Sequence, residues 1–113
     1  MSDHSSTTLR TLDCRPGQST LADAAVADAL ASGLKGWSRT ASGDGIQKTF
    51  QFTDYYRTIA FVNAIAWIAN LQDHHPDLDV RYNRCGVTWS THDAGGITQN
   101  DLICAARVDA LGG

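Results

Sequence analysis

Residues 54–93 decide the fold, and they read DYYRTIAFVNAIAWIANLQDHHPDLDVRYNRCGVTWSTHD. Apolar side chains recur at helical spacing in the first half of this stretch, which predicts a helix over 54–72. The Thr-Asp pair at 53–54 supplies a cap for its first turn. Pro76 disfavours helical geometry at the residue before it, so we expect the helix to end near Asp73.

The remaining elements follow outward from this segment. Thr20 with Asp23, and Thr98 with Asp101, have the spacing of capping boxes that open helices. Hairpins without parallel crossovers imply an α+β fold in the order α-β-β-α-β-β-α, with a four-stranded antiparallel sheet and helices packed on one face. The patterns predict helices over 20–32 and 98–111, and strands over 37–41, 46–53, 79–82 and 87–92.

Length and charge limit the classes of protein that fit. The chain has 113 residues and a formal net charge of -3. Its length predicts a single domain, over 9–113, and its polar start MSDHSSTT predicts a disordered N-terminal tail over 1–8. No basic run is present, so direct nucleic acid binding is not expected. No segment approaches the roughly 20 apolar residues of a membrane span, and no signal peptide is visible. We therefore expect a cytoplasmic protein without a membrane anchor.

Three cysteines, Cys14, Cys85 and Cys104, are far apart in the sequence. Their odd number and unpaired spacing favour free thiols in a reducing compartment.

The predicted helix over 54–72 has an apolar surface that is wider than one sheet face covers. The surplus predicts a homodimer or homotetramer. Coverage by the last helix within one protomer is the alternative.

Three histidines, His74, His75 and His92, flank the predicted second hairpin. The adjacent pair can face one target because Pro76 ends the helix, and the hairpin brings His92 back to the same end. Three interpretations compete: hydrogen-bonded surface histidines, a zinc site, and metal-free acid–base catalysis. Adjacent ligands suit tetrahedral zinc poorly. We favour catalysis, because two imidazoles in different protonation states can deliver and remove a proton.

The motifs Asp-His-His-Pro at 73–76, Ser-Thr-His at 90–92 and Ala-Gly-Gly at 94–96, with Tyr82 and Asp101, resemble the pterin-4a-carbinolamine dehydratases. The resemblance implies removal of water from a 4a-hydroxy-tetrahydropterin to give the quinonoid dihydropterin. It also implies that the pterin is the substrate and that no metal or redox cofactor takes part.

The resemblance also implies roles for individual residues. His74 and His92 would form the catalytic acid–base pair, and His75 would bind and orient the pterin. Asp101 is expected to act as a helix cap, and Tyr82 as a packing residue on the sheet. Residues expected to hold the substrate are Asp73, Ser90, Thr91 and Asp93. Trp37 is expected either to wall the site or to pack in the core.

Two positions depart from the family pattern. Asn70 stands where the family usually has an ionisable residue, and Leu78 stands where many members have an aromatic one. An amide cannot relay a proton, so the turnover rate and the preferred pterin stay open. The rival hypothesis is a non-catalytic oligomeric assembly or transcription-regulatory partner on the same fold.

Overall fold

The computed structural model describes residues 5–111. Its elements occur in the expected order, preceded by one short additional helix and interrupted by a 3₁₀ turn. They are α1 (Ser6–Leu9), α2 (Asp23–Ser32), β1 (Ser38–Arg39), β2 (Ile46–Gln51), α3 (Tyr55–Gln72), β3 (Asp77–Val80), β4 (Arg84–Trp89), a 3₁₀ turn (His92–Ala94) and α4 (Gln99–Asp109).

The sheet has the strand order β1-β2-β4-β3, and every neighbouring pair is antiparallel. Ile46 pairs with Trp89, and both side chains are fully buried on the face that α3 and α4 cover. Gln47 and Thr49 alternate with the apolar positions of β2 and are exposed on the opposite face. The predicted α+β fold, with its helices on one face, is confirmed.

The long helix α3 begins and ends where the sequence predicts. The Asp54 side chain accepts a hydrogen bond from the backbone N–H of Arg57 at 2.8 Å, which caps the first turn. Asp73 follows the last helical residue with a positive φ of 50°, the left-handed conformation that commonly terminates helices. The chain therefore leaves the helix immediately before His74.

The second hairpin is shifted toward the N-terminus relative to the prediction. The strands run over Asp77–Val80 and Arg84–Trp89, rather than over 79–82 and 87–92. Because the chain is already extended at Pro76, strand pairing begins at the next residue. The turn closes with a hydrogen bond from Arg81 N–H to the Arg84 carbonyl at 2.9 Å. His92 consequently lies beyond the strand, in the 3₁₀ turn.

The helix predicted over 20–32 begins three residues late. It spans Asp23–Ser32, and its cap residue Ala22 makes no side-chain hydrogen bond. The prediction of a capping box formed by Thr20 and Asp23 is therefore wrong. Leu21 N–H donates to the Ile97 carbonyl at 2.8 Å, which holds the chain outside the helix at this point. The Thr98–Asp101 capping box of α4 is confirmed in both of its hydrogen bonds.

The disordered tail predicted over 1–8 is wrong for residues 6–8, which are helical. Residues 1–4, with His4, lie outside the described residues, whereas Ser6–Leu9 forms a helical turn. Leu9 is fully buried and α1 packs against α4, so burial of this side chain stabilises the turn. The connection after it is anchored by Arg107, whose guanidinium donates to the Leu12 carbonyl at 2.6 Å.

The outer face of α3 remains open within the protomer. The exposed fractions of Tyr56, Trp67 and Leu71 are 88%, 63% and 58%. The α4 helix packs on the buried face of α3, so it does not cover these side chains. The alternative of coverage within one protomer is wrong, and the homo-oligomer stays a prediction. No helix within 5–111 is long and apolar enough to span a membrane.

Candidate functional site

The three histidines line one open cleft of about 230 Å³ at the end of the sheet. Two chain segments form it, the residues that follow α3 and the residues that follow β4. The site residues expected from the sequence meet here, with the exception of Trp37. The lining consists of Asp73, His74, His75, Ser90, Thr91, His92 and Asp93.

Backbone geometry explains why these two segments meet. The left-handed Asp73 turns the chain out of α3, so His74 and His75 are no longer constrained to helical directions. Asp77 then pairs with Thr88, which places the end of α3 beside the end of β4. A second constraint closes the loop that carries His92, since Thr91 and Gly96 form an isolated antiparallel bridge.

His74 is held by a buried carboxylate. Its Nε2 lies 2.6 Å from Oδ1 of Asp101, and the side chains are 12% and 0% exposed. Its ring stacks on the indole of Trp89, with 5.5 Å between centroids and 15° between planes. Since a carboxylate accepts, Nε2–H is the donor, and any exchange of a proton with a ligand has to use Nδ1.

The other oxygen of Asp101 is also satisfied. Oδ2 accepts from the backbone N–H of Thr98 and from the Thr91 hydroxyl, each at 2.9 Å. Because the Thr91 proton points at Asp101, the Thr98 hydroxyl donates to Thr91 at 2.8 Å. A buried carboxylate is stable only when its acceptors are paired in this way. Asp101 thus fixes both the α4 cap and the orientation of His74.

This arrangement alters the acidity of His74. The hydrogen bond to Asp101 raises the pKa of His74 above its ordinary value, against the burial of the ring, which alone would lower it. The negative charges of Asp101, Cys14 and Asp73 raise the pKa further. The contact with Asp101 therefore shifts the protonation equilibrium of His74, in the wall of the cleft, toward the imidazolium form.

His75 and His92 differ from His74 in their surroundings. Both side chains are exposed, and neither imidazole makes a hydrogen bond to another residue of the described chain. Asp44 lies close enough to His92 that the charge of the imidazolium contributes to lowering the pKa of Asp44, although hydrogen bonds from Ser42 and Thr40 are the larger causes. Both rings are thus available to a bound molecule.

Trp37 does not wall this cleft, and that expectation is corrected. Its indole Nε1–H donates to the carboxylate of Asp109 at 3.1 Å, and its ring meets Phe50 edge-on at 6.0 Å. Asp109 lies at the opposite end of α4 from Asp101, so Trp37 packs in the core far along the helix. Trp37 is therefore a packing residue of the core.

Other expected roles are changed or extended. Tyr82 is 66% exposed in the hairpin turn and stacks on Tyr55, so it is not a packing residue of the sheet. Asp101 caps α4 as expected, but its contact with His74 was missed by sequence reasoning. The spacing of a capping box predicted the carboxylate position, while nothing local indicated which residue its second oxygen would meet. The sequence also offered no indication that Asp44 would lie near His92.

Metal ligation was one interpretation of the histidines. Across residues 5–111, no three His, Cys, Asp or Glu side chains are grouped so that they would hold a metal ion. The absence of a cofactor stays a prediction.

Comparison with known proteins gives the family context of this cleft. The family model for pterin 4 alpha carbinolamine dehydratase matches residues 19–111. A protein of Chromobacterium violaceum, provisionally named pterin-4-alpha-carbinolamine dehydratase, is 54% identical over 102 residues, covering 88% of this chain and 92% of its own. One of Xanthomonas campestris pv. campestris, with the same provisional name, is 54% identical over 91 residues, covering 80% and 76%.

Two solved structures are similar in fold. A transcriptional coactivator/pterin dehydratase from Brucella melitensis has a TM-score of 0.79 and 32% identity, covering 83% of this chain and 99% of the other. A pterin dehydratase-like protein, described as a RuBisCO assembly factor in the alpha-carboxysome, has a TM-score of 0.60 and 28% identity, covering 70% and 92%. Since the family match spans most of the chain, including every residue of the cleft, this chain belongs to the pterin-4-alpha-carbinolamine dehydratase family.

Proposed function

We propose that the cleft removes water from a 4a-hydroxy-tetrahydropterin and releases the quinonoid dihydropterin. The observation that carries the proposal is the contact of 2.6 Å between His74 and the buried Asp101, in a cleft that His75 and His92 also line. It supplies a proton donor whose charged form Asp101 stabilises, beside two imidazoles that a ligand can reach.

His74 is the proposed general acid. Hydroxide is a poor leaving group, so the C4a–O bond breaks more easily when a proton reaches the oxygen in the transition state. The hydrogen bond to Asp101 raises the pKa of His74 and stabilises the imidazolium before the proton leaves. The stack on Trp89 holds the ring plane while the proton moves from Nδ1.

His92 is the proposed general base. Loss of the proton from N5 completes the elimination, and an imidazole without another hydrogen bond can accept it. His75, which is exposed beside His74, is proposed to bind and orient the heterocycle. Asp73, Ser90 and Asp93 line the same cleft and offer acceptors to the polar edge of a pterin.

The Thr91 side chain has a different proposed task. Its hydroxyl already bonds Asp101 and Thr98, so we assign it to positioning the acid rather than to contacting the pterin. The reaction itself transfers no electrons to or from the protein, because hydroxide and a proton leave as water. One acid and one base therefore suffice, and we propose that neither a metal nor a redox cofactor is needed.

The direct test is the decay of the carbinolamine, generated with a phenylalanine hydroxylase and followed optically. The wild-type chain is expected to accelerate the decay above buffer. His74→Ala and His92→Ala should each lower kcat by roughly 10²–10⁴-fold. Gln47→Ala, on the open face of the sheet, is the matched control and should retain the rate. No acceleration by the wild type, or full rates in both histidine variants, would refute the proposal.

A second candidate is a non-catalytic assembly or regulatory partner. The exposed Tyr56, Trp67 and Leu71 on α3 favour it, and two fold relatives carry descriptions of a coactivator and of an assembly factor. Partner binding that survives replacement of all three cleft histidines, together with no pterin turnover by the wild type, would favour this function over catalysis.

A further inference from the structure

A pair of thiols, Cys14 and Cys104, lies near the contact between His74 and Asp101. The Sγ atoms of Cys14 and Cys104 are 3.5 Å apart, although the two residues are separated by 90 positions in the sequence. This distance is close to van der Waals contact, and both residues are free thiols in the structure. Sequence reasoning treated the three cysteines as unrelated, because nothing local shows that the N-terminal segment returns to α4.

The backbone holds the two thiols together. Cys14 N–H donates to the Gln72 side chain at 2.7 Å, which ties the segment to the end of α3. Asn100 accepts from Arg15 N–H at 3.0 Å and donates to its carbonyl at 2.8 Å, which ties the same segment to the first turn of α4. Three hydrogen bonds, one at Cys14 and two at the adjacent Arg15, thus fix the position of Cys14.

The neighbourhood of Cys104 connects this pair to the cleft. Cys104 lies three residues after Asp101, on the same side of α4. Cys14 is half-buried and therefore reachable from solvent, whereas Cys104 is fully buried. Such an asymmetric pair has one thiol that meets an external reagent and one that can resolve the product.

We propose that Cys14 and Cys104 form a redox-active site, at which a small disulfide such as oxidised glutathione closes a reversible intramolecular bridge. This inference is independent of the proposed dehydration, since neither thiol lines the histidine cleft. The bridge joins the segment before α2 to α4. To form it, the two sulfurs have to move from van der Waals contact to a bond length of roughly 2.05 Å.

The chemistry balances in two exchange steps. The Cys14 thiolate attacks one sulfur of oxidised glutathione, breaking its S–S bond, and expels one glutathione thiolate. Cys104 then attacks the Cys14 sulfur of the mixed disulfide, which breaks its S–S bond to glutathione, and the Cys104 proton passes to the second glutathione thiolate as it leaves. The protein loses two electrons and two protons, while the oxidant becomes two molecules of reduced glutathione.

Local electrostatics support this order of attack. The hydrogen bond from Cys104 lowers the pKa of the Cys14 thiol, and the charge of His74 acts in the same direction. That same hydrogen bond, with burial, raises the pKa of Cys104. Cys14 is therefore the thiol that reacts first.

Cys85 provides a matched control. It is fully buried in β4, burial raises its pKa, and its thiol donates to the Gly86 carbonyl at 3.8 Å. It has the same chemical group in the same chain without a neighbouring thiol. Reaction at Cys85 would report unfolding rather than a built site.

The test equilibrates the native full-length chain with glutathione buffers of increasing oxidised fraction, followed by alkylation and peptide mapping. We expect a Cys14–Cys104 bridge that dithiothreitol reverses, with Cys85 still reduced. Cys85→Ser should form the same bridge, and Cys14→Ser and Cys104→Ser should form none. Only glutathionylated Cys14, or oxidation that appears together with modified Cys85, would overturn the proposal.

Thermal unfolding of the wild type provides a second readout that needs no variant. A bridge across so long a segment restricts the unfolded chain, so Tm of the oxidised form should exceed that of the reduced form by at least about 5 °C. A lower Tm after oxidation would show that the bridge strains the fold, and it would contradict the proposed site.

Discussion

Asp101 performs two tasks at once with its two carboxylate oxygens. Oδ2 completes the cap of α4, and Oδ1 meets His74. Full burial makes this carboxylate costly unless each oxygen is paired, so the position of His74 is tied to the stability of the helix start. The protonation state of a cleft residue thus depends on a group that no ligand in the cleft would touch.

Replacement of this carboxylate tests that dependence. Asp101→Asn keeps the size and a cap acceptor but removes the charge, so the pKa of His74 should fall. NMR titration of the imidazole should give a value above about 6.5 in the wild type and a lower one in the variant. Asp109→Asn, at the other end of α4, is the control and should leave the titration of His74 unchanged. An equal value in all three proteins would contradict this electrostatic account.

The same contact makes stability depend on pH. Because the folded-state pKa of His74 is raised, its contribution is complete below the unfolded-state pKa of about 6.5. The contribution is lost as pH rises through the folded-state pKa. Urea unfolding should therefore show that the free-energy difference between wild type and His74→Gln shrinks as pH increases across that window. A difference that grows with pH would have the wrong sign.

The sequence was sufficient to predict the cleft histidines but not the surroundings of each one. His74, His75 and His92 stand out by type and by their closeness in the chain. The hydrogen bond to Asp101 joins residues separated by 27 positions, and the stack on Trp89 crosses from a loop to a strand. Contacts of this kind follow from tertiary packing, and no local spacing reports them.

At the scale of elements, the end of α3 controls the direction in which two histidines leave the helix. Asp73 adopts φ 50° and ψ 44°, which glycine adopts without strain and other residues adopt at a cost. Its backbone N–H still bonds the Ala69 carbonyl, so the helix is closed by this single left-handed residue.

Asp73→Gly should therefore raise the free energy of unfolding by about 0.5–1 kcal/mol, because it removes the backbone strain. Asp73→Ala is the paired control, since it removes the carboxylate but keeps a Cβ in the left-handed conformation, and it should be less stable than the glycine variant. Urea denaturation of the three proteins measures both differences. A glycine variant no more stable than the alanine variant would contradict the assigned strain.

Helix ends with side-chain caps were predictable, whereas strand register was not. The starts of α3 and α4 were predictable because Asp54 and the Thr98–Asp101 capping box make hydrogen bonds to residues close to them in the sequence. The Thr20–Asp23 pair has the same spacing but does not form a capping box, because the Leu21 N–H is bonded to the carbonyl of Ile97, which is distant in the sequence. The hairpin shifted for a related reason, since pairing with β4 decided where β3 begins.

At the scale of the whole molecule, the open face of α3 is an apolar surface that the described protomer leaves uncovered. Tyr56, Trp67 and Leu71 are more than half exposed, which is uncommon for a cluster of large apolar side chains on one helix. The sequence predicted this surplus from the width of the apolar stripe, but it does not distinguish a dimer from a tetramer.

Analytical ultracentrifugation tests the expected homo-oligomer. The wild type should sediment as a dimer or tetramer, and Trp67→Glu should shift it toward monomer because a charge would be buried in the interface. Thr49→Glu, on the exposed face of the sheet, is the control and should leave the mass unchanged. A monomeric wild type at micromolar concentration would contradict the expected assembly.

The site also belongs to this scale, because three separate elements build it. The end of α3 supplies His74 and His75, the segment after β4 supplies His92, and the first turn of α4 supplies Asp101. The central claim is that Asp101 keeps His74 charged so that it delivers the proton to the leaving hydroxyl group.

The pH dependence of carbinolamine dehydration tests this claim most directly, measured in wild type and Asp101→Asn after subtraction of the buffer rate. The wild-type rate should fall as pH rises through the raised pKa of His74, since the acid is then deprotonated. In the variant the same decline should occur at lower pH. A wild-type rate that does not fall with pH, or a decline at the same pH in both proteins, would contradict the account.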